Sequence, residues 1–239
     1  MTYLLGDSTL INLGQIILAL VVSGNILQFC AYSFFNKSIN ISQKAFTVIN
    51  FIFIAIAYFY LTYAYIISDF SYLNVYENSS SQKPLLYKIT GVWGNHEGSM
   101  LLFLFILSLY SFSFAIFSKY EQKPHILAYQ AFATSLFALY IYFTSSPFEF
   151  NPLYLKGFEV EGMGLNPLLQ DIGLAIHPPL LYFGYAGFSL IFSFAFFAYK
   201  QNWDFEVKRW AIFIRNWSLI PWGFLTLGIA VGSWWAYRE

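Results

Sequence analysis

Apolar residues in this chain come in long runs, not in alternation with polar ones. A helix needs about 20 mostly apolar residues to cross the hydrocarbon core of a bilayer. Runs of that length recur six times: Leu10 to Tyr32, Ala45 to Ile67, Ser99 to Phe117, Ile126 to Thr144, Pro178 to Tyr199 and Ala211 to Ala236. In lipid every backbone N–H and C=O must be paired within its own segment, so each run is assigned as a helix. Two of the connections are long and polar, Ser68 to His96 and Ser145 to His177. The pattern predicts an all-α polytopic membrane protein, one domain over residues 1–239, with about six transmembrane helices.

Charge gives this bundle a direction. The connections after spans one, three and five carry Lys37, Lys44, Lys119, Lys123, Lys200, Lys208 and Arg209. The other side carries Lys83, Lys88, Lys156 and Arg238, although it holds both long loops. The excess of positive charge marks the inner side, so both termini and both long loops are expected to face outward. Arg215, about one turn inside the sixth span, is expected to snorkel to the inner interface. No basic residue precedes the first apolar run in Met1 to Ser8, so insertion is expected to depend on that span itself.

Composition sharpens the class. Of 239 residues, 58% are hydrophobic and only 10% charged, too few charges to cover a water-exposed surface. The net charge of zero argues against a nucleic-acid partner. The lone Cys30 has no second thiol to pair with, which excludes a disulfide framework or thiol redox pair within the chain. Aromatic content is high, with 28 Phe, 19 Tyr and 7 Trp. AT-rich codon usage, as in organellar genomes, accounts for Phe and Tyr; the tryptophans better suit a surface for a large flat ligand. No phosphate loop, HExxH, paired-Cys metal motif, nucleophile elbow or string of intramembrane carboxylates is present.

Three histidines can be weighed individually. His125 follows Pro124 in a short inner turn and reads as a solvated loop residue. His177 sits in LNPLLQDIGLAIHPPLLYFGYAGFSL, where Asn166 and Pro167 suggest the start of a short interfacial helix. Residues before proline are pushed out of the α region, so His177 is expected to end that helix, with Pro178 and Pro179 opening the fifth span. Its imidazole would be fixed at the membrane surface, where it could ligate haem iron or serve packing alone. His96 lies in GVWGNHEGSM just before the third span, with Trp93 as a stacking face and Asn95 and Glu97 as polar neighbours. That segment reads either as a ligand-contacting loop or as a helix start in which Glu97 complements the helix dipole. Trp203, Trp210 and Trp217 recur every seven residues and read as interfacial anchors, with Trp222 after Pro221. Trp234 and Trp235 fall at the outer end of the sixth span, where an aromatic belt is also expected.

The segments TGVWGNHEGSMLLFLFIL, FTSSPFEFNP, NPLLQDIGLAIHPPLLYFGYAGFSL and WGFLTLGIAVGSWWAYRE, in that order and spacing, resemble the N-terminal part of CcmF-type cytochrome c haem lyases. The resemblance covers the whole chain. It implies a role in attaching haem to apocytochrome c on the outer face of the membrane. It makes His177, in the HPP motif, similar to an outward-facing axial ligand for the incoming haem. Trp93, Asn95, His96, Glu97, Trp234 and Trp235 would line the haem-facing surface. The haem b would be substrate, shared with a partner chain. The implied partners are the haem chaperone CcmE, CcmH with the apocytochrome, and a C-terminal CcmF fragment. In the family a tryptophan-rich WWD platform follows the segment matching SWWAY, whereas this sequence stops at Arg238 and Glu239.

The expectation is therefore the N-terminal subunit of a split haem lyase, inactive alone. Residue usage leans toward the mitochondrial inner membrane, with the long loops in the intermembrane space; a bacterial inner membrane facing the periplasm is the alternative. A CcmF fragment kept as a structural subunit of a larger respiratory complex is the second functional reading. A haem transporter is the third, and no polar stripe crossing the spans supports it.

Overall fold

The computed structural model describes residues 12–35, 40–121, 123–200 and 207–238. Among these the chain forms α1 (Leu13–Phe35), α2 (Asn40–Ile67), α3 (Leu73–Asn78), α4 (Leu85–Gly91), α5 (His96–Phe117), α6 (Lys123–Thr144), α7 (Pro152–Leu155), α8 (Ile172–Lys200) and α9 (Val207–Arg238). A single 3₁₀ turn, Pro167–Leu169, precedes α8. No strand occurs among the described residues; Tyr72 and Phe150 form an isolated antiparallel bridge. Among the described residues six helices are long and apolar enough to cross a membrane, and they correspond to the six expected spans. Leu10, Lys37 and Trp203 lie outside the described residues.

Helix ends differ from expectation for local reasons. α5 begins at His96, not Ser99, because the Asn95 side chain accepts the Gly98 N–H at 2.9 Å and caps the helix. α6 begins at Lys123, with Pro124 in the first turn, where a missing N–H costs nothing. The long polar connections also contain α3, α4 and α7, each too short to give a periodic signal.

The bundle is built around α5 and α6. α1 packs on α2 and α6, α2 on α5, and α8 on α5 and α6; α9 lies mainly against α8, the most extensive pairing of all. One apolar cluster, including Leu18, Ile54, Leu61, Leu101 and Leu104, fills the half toward the two long loops. A second, built on Phe114, Ile126, Leu190 and Phe194, fills the short-loop end. Trp217 packs edge-on against Phe114 in this second cluster (centroids 5.3 Å), so it is a packing residue more than an interfacial anchor.

His125 is not a solvated loop residue. It is half-buried in the first turn of α6, hydrogen-bonded to the Tyr32 hydroxyl and stacked on Phe197 at 5.2 Å. Beside it the short-loop half holds a buried polar network. Gln28 Nε2 donates to Thr47 Oγ1 at 2.8 Å and to Gln43 Oε1 at 3.3 Å, and Asn50 donates back to Gln28 Oε1 at 3.2 Å. Gln130 donates to Ser189 at 2.6 Å and accepts from Ser193 at 2.8 Å, tying α6 to α8. These groups satisfy one another, and the apolar cluster above them keeps the network from spanning the bundle.

Candidate functional site

The segment before α8 is a 3₁₀ turn, with Leu169 N–H on Asn166 C=O at 2.8 Å, not the expected interfacial helix. Asp171 then caps α8 by accepting the Gly173 N–H at 2.6 Å. From there the helix runs unbroken from Ile172 to Lys200 and contains Pro178 and Pro179, so His177 lies inside it and does not end it. The bias of pre-proline residues against the α region is overridden here. Two prolines leave two carbonyls of the preceding turn without helical partners, a cost that close neighbouring helices make tolerable in a transmembrane helix.

The close neighbour is α9, and glycines set its distance. A Cβ at Gly184 would stand 2.7 Å from Leu225 Cβ, one at Gly187 2.6 Å from Pro221 Cβ, and one at Gly228 2.8 Å from Leu181 Cδ2. Small residues let transmembrane backbones approach, and packing is what holds helices together where water supplies no hydrophobic drive.

His177 is set into this contact. Its Nδ1 lies 2.8 Å from the Gly228 carbonyl oxygen. A carbonyl can only accept, so Nδ1 carries the proton and Nε2 keeps its lone pair. Among the described residues nothing donates to that lone pair. The Cε1 edge of the ring abuts Gly232, where a Cβ would stand 2.6 Å from Nδ1 and 3.1 Å from Nε2. Trp235, one helical step on, lies 6.1 Å away at 57° and covers Gly173. Its indole Nε1 is buried with no hydrogen-bond partner among the described residues. Trp234 turns the other way, 46% exposed, with the Arg238 guanidinium 4.7 Å above its ring. Of the two tryptophans, only Trp235 is brought to His177.

The His96 segment serves a different corner. His96 Nε2 lies 3.1 Å from Ser145 Oγ and 3.2 Å from Tyr140 Oη, so this imidazole is tied to the end of α6, not to α9. The Asn95 amide is fully used. It accepts from Gly98 and from Asn74 (2.8 Å) and donates to Gly91 O and Tyr65 Oη, both at 3.0 Å. Trp93 is half-buried against the main apolar cluster, and its carbonyl accepts from Ser99 Oγ at 2.8 Å. Glu97 accepts from Asn74 at 3.3 Å and lines a cavity of about 110 Å³ with Glu77, Glu149, Ser145 and Ser146.

The two long loops are joined into one platform over this end. Leu73 N–H reaches Glu149 O at 2.8 Å, Asn151 N–H reaches Ser71 O at 2.7 Å, and Met163 N–H reaches Tyr76 O at 2.7 Å. Glu161 accepts from Ser81 N–H at 2.7 Å, and that hydrogen bond holds its carboxyl below the usual carboxylate range. Lys83 is buried there with its ammonium 3.0 Å from Asn78 O; desolvation, helped by Lys88, pushes it down to about 8. Neither the Asp171 cap nor Trp235's unpaired indole was anticipated. The D-x-G spacing before an apolar run could have signalled the first, and nothing in the sequence signals the second.

Comparison with known proteins places these features in a family. Residues 93–239 match the cytochrome C assembly protein family. The cytochrome c-type biogenesis protein CycK of Bradyrhizobium diazoefficiens is 50% identical over 192 residues, covering 79% of this chain and 28% of that protein. The cytochrome c-type biogenesis protein CcmF of Escherichia coli is 42% identical over 201 residues, covering 83% of this chain and 30% of that protein. The solved structure of a cytochrome c haem lyase CcmF superposes with a TM-score of 0.78 at 26% identity, over 94% of this chain and 36% of that one. The chain thus spans less than a third of the length of the curated relatives it matches. It belongs to the cytochrome c assembly protein family.

Proposed function

We propose that this chain is the N-terminal subunit of a split cytochrome c haem lyase, holding the haem that partner chains join to apocytochrome c. The observation that carries the reading is the His177 imidazole, whose Nδ1–H is spent on Gly228 O while Nε2 keeps a lone pair. That is the tautomer an axial ligand needs, and a second-shell carbonyl of this kind fixes ring orientation and basicity. The buried, unpartnered Nε1 of Trp235 beside it is a donor awaiting an acceptor, which a haem substituent or partner carbonyl would supply.

His177 would bind the iron with Trp235 beside it; Trp234 on the other side of α9, and Trp93, His96 and Glu97 at the separate loop corner, would line only the outer approach. Asn95 would act indirectly, by fixing the loop that carries Trp93 and His96. The haem b is substrate. Its attachment adds each apocytochrome thiol across a vinyl C=C, the sulfur to one carbon and the proton to the other. This chain's share is to bind and orient, and the thiols come from elsewhere. The partners are a C-terminal CcmF portion carrying the WWD platform, CcmH, CcmE and apocytochrome c. The location is the mitochondrial inner membrane, long loops toward the intermembrane space; the relatives named above are bacterial, where the same side would be the periplasm.

One observation favours a second reading. The His177 edge is packed against Gly232, so the ring could serve the α8–α9 contact alone, in a structural subunit of a respiratory complex. Native purification separates the two. A Soret band in a complex containing a WWD-bearing partner supports the lyase subunit. A colourless complex of respiratory subunits overturns it.

A further inference from the structure

The sixth span inverts the rule for a lipid-facing helix. A helix surrounded by acyl chains should be among the most apolar, yet α9 is the least apolar of the six spans and also the least buried. Only 11% of its window is buried within the chain, against 33–56% for the others. Its contact with α8 uses Pro221, Leu225, Gly228, Gly232 and Trp235. At about 100° per residue, the opposite side carries Gly223, Thr226, Ala230 and Ser233, spaced 3, 4 and 3 residues apart. Thr226, Ala230 and Ser233 are exposed, and a Cβ added to Gly223 would meet nothing within 4 Å. Toward the short-loop end the exposed Arg215 and Asn216 continue the polar character.

Small residues in such a row let a second helix approach closely. The Thr226 hydroxyl is spent on Trp222 O at 2.9 Å, and Arg215 lies within reach of the short-loop interface, so the row of small side chains is what marks this face. The relatives supply the occupant, since more than two thirds of their length lies beyond the part this chain matches.

We infer that the Gly223–Thr226–Ala230–Ser233 face of α9 is the seat of a transmembrane helix from the remaining part of the CcmF architecture. That helix would present small residues to this row and a carboxylate toward Arg215. The surface lies on the far side of α9 from the contact that holds His177, so docking backs the helix that positions the proposed haem ligand. This inference rests on the lyase reading and deepens it by naming the partner's surface.

The test is a photo-cross-linking residue at Thr226 or Ala230 in the assembled complex, with Ile52 on the exposed side of α2 as the lipid-facing control. Adducts from positions 226 and 230 to lyase sequence beyond the part matched here, in the same or another polypeptide, are expected, and lipid adducts from Ile52. Lipid adducts at all three positions, or adducts to a second copy of this chain, overturn the inference. Gly223→Phe supplies the second arm. It should leave the chain's own melting temperature unchanged and reduce co-purification of the partner about tenfold, equivalent to about 1.4 kcal/mol. Undiminished co-purification overturns the inference as well. Haem content is read separately. Cross-links without haem would sink the ligand reading alone, and haem without cross-links would sink the docking surface alone.

Discussion

The Cε1 edge of His177 abuts the α-carbon of Gly232, so the position of the imidazole depends on the absence of a side chain one turn beyond its hydrogen-bond acceptor, Gly228. Gly232→Ala therefore forces the ring or the helix to move. Overpacking of this kind costs about 1–3 kcal/mol. The expected outcome is a chain that still inserts but, in the assembled lyase, attaches less haem to cytochrome. Ile229→Val, exposed and outside both the α8 contact and the Gly223–Ser233 row, should leave attachment unchanged. Haem staining of cytochrome c in the two strains checks the contrast.

Asn95 should behave as a structural residue. Asn95→Ala removes the α5 cap and leaves the buried Asn74 amide and Tyr65 hydroxyl short of partners. A lost cap costs about 0.5–2 kcal/mol, and each buried hydrogen bond lost from Asn74 and Tyr65, which keep their other partners, adds about 0.5–1.5 kcal/mol. A fall of several degrees in the melting temperature in detergent is expected. Asn95→Asp, which keeps the cap acceptor but loses the donors, should fall less.

Lys83 gives the stability a pH signature. Burial lowers it from its ordinary 10.5 to about 8, so between those values the unfolded chain holds a proton that the folded chain has released. Stability then rises with pH across that window, and the penalty for burying the charge is present in full below it. Lys83→Met should be more stable than wild type at pH 7, and its advantage should shrink as pH rises from about 8 toward 10.5. Melting temperatures at the two ends of the window measure this.

The polar network of the short-loop half should contribute only modestly. Gln28→Leu takes the acceptor from the Asn50 amide, while Thr47 keeps its bond to Gln43 O and Gln43 keeps its bond to the backbone carbonyl of residue 28. Interhelical hydrogen bonds in membranes average about 0.6 kcal/mol, so a loss near 1 kcal/mol is expected. Detergent unfolding of the variant beside wild type measures it.

The six spans were legible because a run of apolar residues long enough to cross a bilayer has few other uses. The continuation of α8 through His177 was not. Pre-proline sterics argue for a break, and only the close approach of α9 explains why α8 continues through Pro178 and Pro179. His125 misled for a related reason. Its neighbours in sequence are charged, but its neighbours in space are Tyr32 and Phe197, from other helices. Gln28 and Asn50 each interrupt an apolar run singly and Gln43 stands in the polar stretch before the second run, so their meeting is a property of the α1–α2 pairing. Asn95 was placed among the haem-facing residues by its motif, while its amide points into the loop it caps.

The central claim is that Nε2 of His177 holds iron, and replacement of that ring with chemical rescue tests it most directly. In the assembled lyase, His177→Ala should reduce covalent haem on cytochrome c to background while the chain still inserts and retains its partners. Millimolar imidazole, supplying the missing ring, should restore part of the yield. Normal cytochrome c from the His177→Ala lyase, without added imidazole, would contradict the account.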